Sequence, residues 1–215
     1  DSQDAAGESS EDEQRNPLIT EITVIAMGRL GGAENGFGSD ADVMFVHRPV
    51  KGADEKEAQA QANRIVNRLM QLIKQPVRPA IRAERPLEVD ADLRPEGKQG
   101  ALVRSLDSYR AYYERWAETW EFQALLRARP IAGSEDLGSA FVELIDPYRY
   151  PREFTVEQAQ QVRRMKARVE HERMPHGADR TRQLKLGRGG LSDVEWLVQL
   201  IQLQHAHKVE GLRTT

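Results

Sequence analysis

Asp40 and Asp42 stand two apart in "GFGSDADVMFV" (36–46), directly after Gly38-Ser39 and directly before an apolar run. Carboxylates at the mouth of a buried strand repel each other and are costly to desolvate, so the pattern calls for a positive charge between them. In an extended chain residues two apart point the same way, which puts both acids on one face. Such a pair can grip Mg²⁺, a hard cation that favours carboxylate oxygen and keeps phosphate or water as further ligands. Gly38 and Ser39 would offer backbone N–H groups and a hydroxyl to a phosphate, with no bulky side chain in the way. A third carboxylate from a neighbouring strand would complete a two-metal site that clamps the attacking and leaving oxygens of a phosphoryl transfer. Asp90, in the alternating stretch "PLEVDADLR" (86–94), is the first choice, and Asp92, expected on the same face, is the second. Taken singly, each Asp reads as well as a turn former or a solvent-facing strand residue. Only their combination with the glycine-serine turn points to metal.

Other residues carry weaker signals. "MGRLGGAENGFGSD" is rich in glycine, but it has neither the GxGxxG spacing of a dinucleotide site nor the GK[ST] of a P-loop. Lys185 and Arg188 can place positive charge over a triphosphate, or they form a solvated basic loop. Ser192 and Glu195 read as a capping box that starts a helix after Gly189-Gly190, with its N-terminus towards a phosphate. Arg127 and Arg129 reach a nucleotide or satisfy terminal carbonyls of a helix. Trp116 and Trp120, one turn apart, read as core rather than as a platform for a base. The five histidines suggest no site; His205 and His207 diverge on their helix, and His47, His171 and His176 are isolated.

The elements that must position these residues follow from pattern. "TEITVIAMG" is β-branched and reads as a strand of a sheet covered on both faces. "DVMFVHR" is a second strand, and "PLEVDADLR" a third with an acidic face. Ala58, Ala62, Ile65, Leu69 and Ile73 recur at helical spacing between Asp54 and Gln75. After residue 105 the period is helical over 106–128, 155–173 and 191–208, the last with an apolar stripe of Leu191, Val194, Leu197, Val198 and Ile201. This divides the chain into an acidic, disordered linker (1–16), an α/β domain (17–105) and a helical domain (106–215) whose pattern breaks off near its end. At 215 residues and a net charge of −3 the chain can bury a core and has no global field for nucleic acid. No apolar run is long enough for a membrane span, and the absence of cysteine fits a reducing, cytoplasmic setting.

Four blocks, "GRLGGAENGFGSDADVMFV", "EVDADLRPEG", "TWEFQALLRARPIAG" and "LGRGGLSDVEWLVQ", occur in this order. Together they resemble the glutamine-synthetase adenylyltransferases, also called glutamate-ammonia-ligase adenylyltransferases, bacterial enzymes of the nucleotidyltransferase superfamily. The resemblance covers nearly everything from about residue 20 onward. It implies an α+β fold: a polymerase-β-like nucleotidyltransferase sheet with flanking helices, followed by an α-helical bundle. It further implies one catalytic unit of a tandem, with a second catalytic domain elsewhere in the full-length enzyme. "GSDAD" and "TWEFQALLRAR" are similar to the C-terminal, AMP-adding unit. The implied reaction moves AMP from ATP to a tyrosine hydroxyl of glutamine synthetase. Asp40, Asp42 and Asp90 would hold Mg²⁺, Asp90 also accepting the proton, and a PII-type signal protein would be a partner. The same resemblance allows phosphorolytic removal of AMP, and a non-catalytic nucleotide- or signal-protein-binding module is the alternative of a different class, disfavoured by the complete acidic triad. One departure stands out: Asp92 occupies a position where the family often has a basic residue, so that contact is not carried over.

Overall fold

The computed structural model describes residues 17–75, 87–179 and 181–214. The acidic stretch 1–16, read as a disordered linker, lies outside them. The elements run β1 (Thr20–Ala26), α1 (Gly28–Gly31), β2 (Ala41–Pro49), α2 (Glu55–Ile73), β3 (Val89–Asp90), β4 (Val103–Ser105), α3 (Leu106–Arg115), α4 (Thr119–Leu125), β5 (Arg129–Gly133), α5 (Glu135–Arg149), α6 (Val156–Arg173) and α7 (Leu191–His205). The fold is a mixed α+β one with a five-stranded sheet ordered β3-β2-β1-β5, and β4 also pairs with β2. β1 pairs antiparallel with β2 and β5, while β3 and β4 run parallel to β2 along its other edge.

The β-branched pattern of β1 and the apolar run of β2 are explained by burial on both faces. On one, Val43 and Phe45 pack with Val103 and with Ala62 and Val66 of α2. On the other, Ile25, Met44 and Val46 pack with Leu106, Tyr109, Leu137, Phe141 and Ile145 from α3 and α5. Asp54 caps α2, its carboxylate accepting from the N–H groups of Lys56 and Glu57 at 2.9 and 3.0 Å. His47 is part of this interior, hydrogen-bonded to Thr20 Oγ1 at 3.1 Å and Gln59 Oε1 at 2.8 Å.

Three sequence expectations need correction. The strand read over 86–94 pairs only at Val89–Asp90: the Asp90 carboxylate accepts from the Asp92 N–H at 2.7 Å and turns the chain, so Asp92 does not share the face of Asp90. The stretch read as helical from 106 onward contains β5, and α3 to α5 share a core with the sheet, so packing continues across residue 105. The helix read over 106–128 is two, α3 and α4. Trp116 at the break is 73% exposed, not core. A smaller cluster of Leu126, Tyr150, Val162, Leu203 and Ala206 fastens α6 and α7 to the rest.

Candidate active site

The parallel pairing of β2 with β3 sets Asp42 directly beside Asp90, as Ala41 is set beside Val89. Asp42 is half-buried, and its pKa is pushed above the ordinary carboxylate range by burial first, then by the charges of Asp90 and Asp40. Arg173 and Lys185 act on Asp42 in the opposite sense, which brings two cations from the helical part to the same place. Asp40 is exposed, in the unpaired end of the loop before β2. Among the described residues no group of three or more His, Asp and Glu side chains is gathered closely enough to hold a metal ion. Asp42 and Asp90 are thus a neighbouring pair, and Asp40, whose charge also acts on Asp42, is exposed just before β2. Asp92, the second choice, is engaged with Lys98 at 3.2 Å and Arg94 at 3.6 Å.

Asp42 opens onto a cleft of about 700 Å³ between the sheet and the helical part. Gly28, Arg29, Gln123 and Arg127 line it on the sheet side; Met165, Arg173, Lys185 and Trp196 line it on the helical side. Lys185 is therefore brought to Asp42, whereas Gly38, Ser39 and Arg188 do not line this cleft. Gly38 has a φ of +75° with open space around it, and the Ser39 N–H is spent on the Gly36 carbonyl at 3.1 Å. A second cavity, of about 640 Å³, lies between α4 and α6 around Trp120, Gln161 and Arg164, with none of the three carboxylates in its lining.

The glycines of "GRLGG" have packing reasons. Gly28 has a φ of +51°, and a methyl group there would collide with the Asp42 carboxylate. Side chains at Gly31 and Gly32 would collide with the carbonyl and the guanidinium of Arg127. Arg127 pairs with Glu34 at 2.5 Å, and Arg129 donates to the Gly31 and Leu30 carbonyls at 2.9 and 3.2 Å, closing the end of α1.

On the other wall, the loop carrying Lys185 is bound to the start of α7. The N–H groups of Leu191 and Ser192 donate to the Leu184 and Lys185 carbonyls at 2.9 and 3.0 Å. The expected Ser192–Glu195 capping box is therefore not formed. The helix begins at Leu191 after Gly190, and loop carbonyls occupy the N–H groups expected to face a phosphate. Asp193 takes the tethering role: it accepts from the Gly189 N–H at 2.6 Å and pairs with Lys166 of α6, which also pairs with Glu170. Burial pulls the Lys166 pKa down, but its bonds to Asp193 and Glu170 outweigh that and hold it above the ordinary lysine value.

Sequence reasoning missed Gly28, Arg29, Arg173, Gln123 and Trp196 as lining residues. Only the GRLGG glycines carried a signal that pointed here, and it concerned packing rather than a nucleotide loop.

The sequence profile of glutamate-ammonia ligase adenylyltransferase matches residues 2–144, and that of GlnD PII-uridylyltransferase matches residues 163–215. The bifunctional glutamine synthetase adenylyltransferase/adenylyl-removing enzyme of Streptomyces avermitilis is 57% identical over 199 residues, covering 92% of this chain and 19% of that protein. The enzymes of the same name from Corynebacterium glutamicum and Mycobacterium tuberculosis strain H37Rv are 53% and 52% identical, over 92% and 95% of this chain and 18% and 20% of theirs. The chain thus spans about a fifth of the length of these curated relatives. It belongs to the glutamate-ammonia ligase adenylyltransferase family.

Proposed function

We propose that this chain is a nucleotidyltransferase unit that moves AMP from ATP to a tyrosine hydroxyl of glutamine synthetase. The observation that carries the reading is the in-register pair Asp42 and Asp90 at the mouth of a cleft whose far wall brings Lys185 and Arg173. Carboxylates on adjacent strands beside a nucleotide-sized cleft are the polymerase-β-like arrangement that the sequence resemblance implies. The unit takes the sheet with α1 to α5 as its catalytic part and α6 and α7 as its helical part.

The residues fit a divalent cation by chemistry: Asp42 and Asp90 are neighbouring hard oxygen donors, and burial first, then the charge of Asp90, raises the Asp42 pKa more than Arg173 and Lys185 lower it. Asp42 and Asp90 would hold Mg²⁺, with Asp40, two residues before Asp42, as the third ligand. Bound there, Mg²⁺ supplies charge neutralisation and lowers the pKa of a coordinated hydroxyl. Lys185 and Arg173 bind the triphosphate by charge. The tyrosine oxygen attacks the α-phosphorus, the bond from that phosphorus to the bridging oxygen breaks, and pyrophosphate leaves. The hydroxyl proton passes to Asp90, whose other oxygen is steadied by the Asp92 N–H.

The adding direction rests on the "GSDAD" and "TWEFQALLRAR" blocks; the relatives' shared name also covers adenylyl removal. The test is transfer of label from α-labelled ATP to purified glutamine synthetase, with and without Mg²⁺. Labelled glutamine synthetase formed only with Mg²⁺ supports the reading. ADP formed from adenylylated glutamine synthetase and phosphate, without forward transfer, reverses the direction. The partnership with a PII-type signal protein and a second catalytic domain belongs to the same proposal, supported by the profile match over 163–215 and by the greater length of the relatives.

A further inference from the structure

The cleft has a second end, away from the carboxylates. There Trp120, Ala124, Met165, Val169 and Trp196 supply apolar and aromatic surface, and two amides sit among them. Gln123 of α4 donates from Nε2 to Oε1 of Gln199 of α7 at 2.6 Å. Gln123 is 4% exposed, and its Oε1 is shut off from solvent with no hydrogen-bond partner among the described residues. A buried acceptor without a donor costs about 1–3 kcal/mol, so a donor arriving in the cleft would be favoured there. We propose that this end is a base-recognition subsite in which the Gln123–Gln199 amide pair reads the amine-bearing edge of adenine.

The chemistry selects adenine in three ways. Flat apolar walls suit a purine face, and indole rings stack on it at a gain of about 1–3 kcal/mol. The exocyclic amine of adenine is a donor for Gln123 Oε1, which a rotation about the soft terminal torsion brings to the cleft as Nε2 leaves Gln199. Gln199 offers its amide N–H groups to the adjacent ring nitrogen of the base. A purine with an oxo group at the amine position would set acceptor against acceptor. The pair joins α4 to α7, so base binding also fixes α7 against the catalytic part. The inference rests on the nucleotide reading above and adds the determinant of base choice.

The test compares ATP with inosine triphosphate, which carries the oxo group, by equilibrium dialysis with Mg²⁺ on the wild-type chain, Gln123→Met and Gln199→Met. Wild type is expected to bind ATP about tenfold more tightly, the discrimination of one such contact. Gln123→Met should bring the ratio close to one by weakening ATP alone. Gln199→Met, at a half-buried position, repeats the test without disturbing the buried side chain and should also reduce the ratio. Equal binding of both nucleotides by wild type, or an unchanged ratio in both variants, overturns the subsite and leaves the nucleotide reading standing. Failure of wild type to bind either nucleotide removes that reading and the subsite with it.

Discussion

On the sheet side of the cleft Ile25, Ala26, Met44 and Val46 have no solvent exposure, and every strand is paired on at least one edge. Across the cleft α7 turns Leu191, Val194, Leu197, Val198 and Ile201 outward at 37–59% exposure, and is held by Trp196, Leu200 and Leu203 against a small cluster. One wall is fixed by a continuous core; the other hangs on few contacts and one lysine tether. The difference teaches a division of labour. The groups that need tight placement for bond making stand on the sheet, and the groups that grip the nucleotide stand on helices that can adjust at lower cost.

Asp42→Asn should break the sheet wall's role most severely, lowering AMP transfer about a thousandfold. The same change removes a carboxylate that burial and Asp90 disfavour, so the metal-free variant should melt about 2 °C higher than wild type. Transfer assays and calorimetry on one preparation check both, and a variant that simply unfolds would contradict the second. Gly28→Ala comes next. It puts a methyl group against Asp42 at a φ of +51°, and should lower kcat about a hundredfold with a loss of about 2 kcal/mol in denaturant melts.

Lys166→Met probes the opposite wall. Without the tether to Asp193 the loop bearing Lys185 loosens, and KM for ATP should rise about fivefold with kcat nearly unchanged. A fall in kcat as deep as that of Asp42→Asn would erase the distinction between the walls. Lys166→Arg should restore the low KM.

The smallest expected effect is on stability. Burial holds the His47 pKa below the ordinary histidine value, with the Gln59 bond acting in the opposite sense. The folded chain therefore binds fewer protons than the unfolded chain in that range, and stability is lost as pH falls below about 6.5 towards the folded pKa. Asp42, with its raised pKa, contributes with the opposite sign, so the check compares variants. Between pH 7 and 5 the melting temperature of His47→Gln should fall less than that of wild type.

β1, β2 and α2 were legible because their patterns record burial on the sheet, and the Asp42–Asp90 neighbourhood followed from the acidic face of 86–94. Asp92 was misplaced because alternation cannot tell a continuing strand from an aspartate that bonds the amide two residues on. β5 was missed because "RPIAG" is short and carries proline and glycine, both poor strand signals. The stripe on α7 was legible as apolar, but periodicity reports that a face exists, not what covers it. Trp116, read as core, failed for that reason. Gln123 left no trace in the sequence, since a lone amide on a helix means nothing until its neighbours are known.

The turn at 28–32 has a bearing on how substitution data for this chain are to be interpreted. Three of its positions are occupied without slack, each by a different atom of Asp42 or Arg127. A saturation scan scored by activity should therefore mark positions 28, 31 and 32 as intolerant alongside position 42. Intolerance at the three glycines would report a joint cut to fit its mate, and intolerance at Asp42 a reagent. Only a scan that also measures folded abundance separates the carpentry from the chemistry.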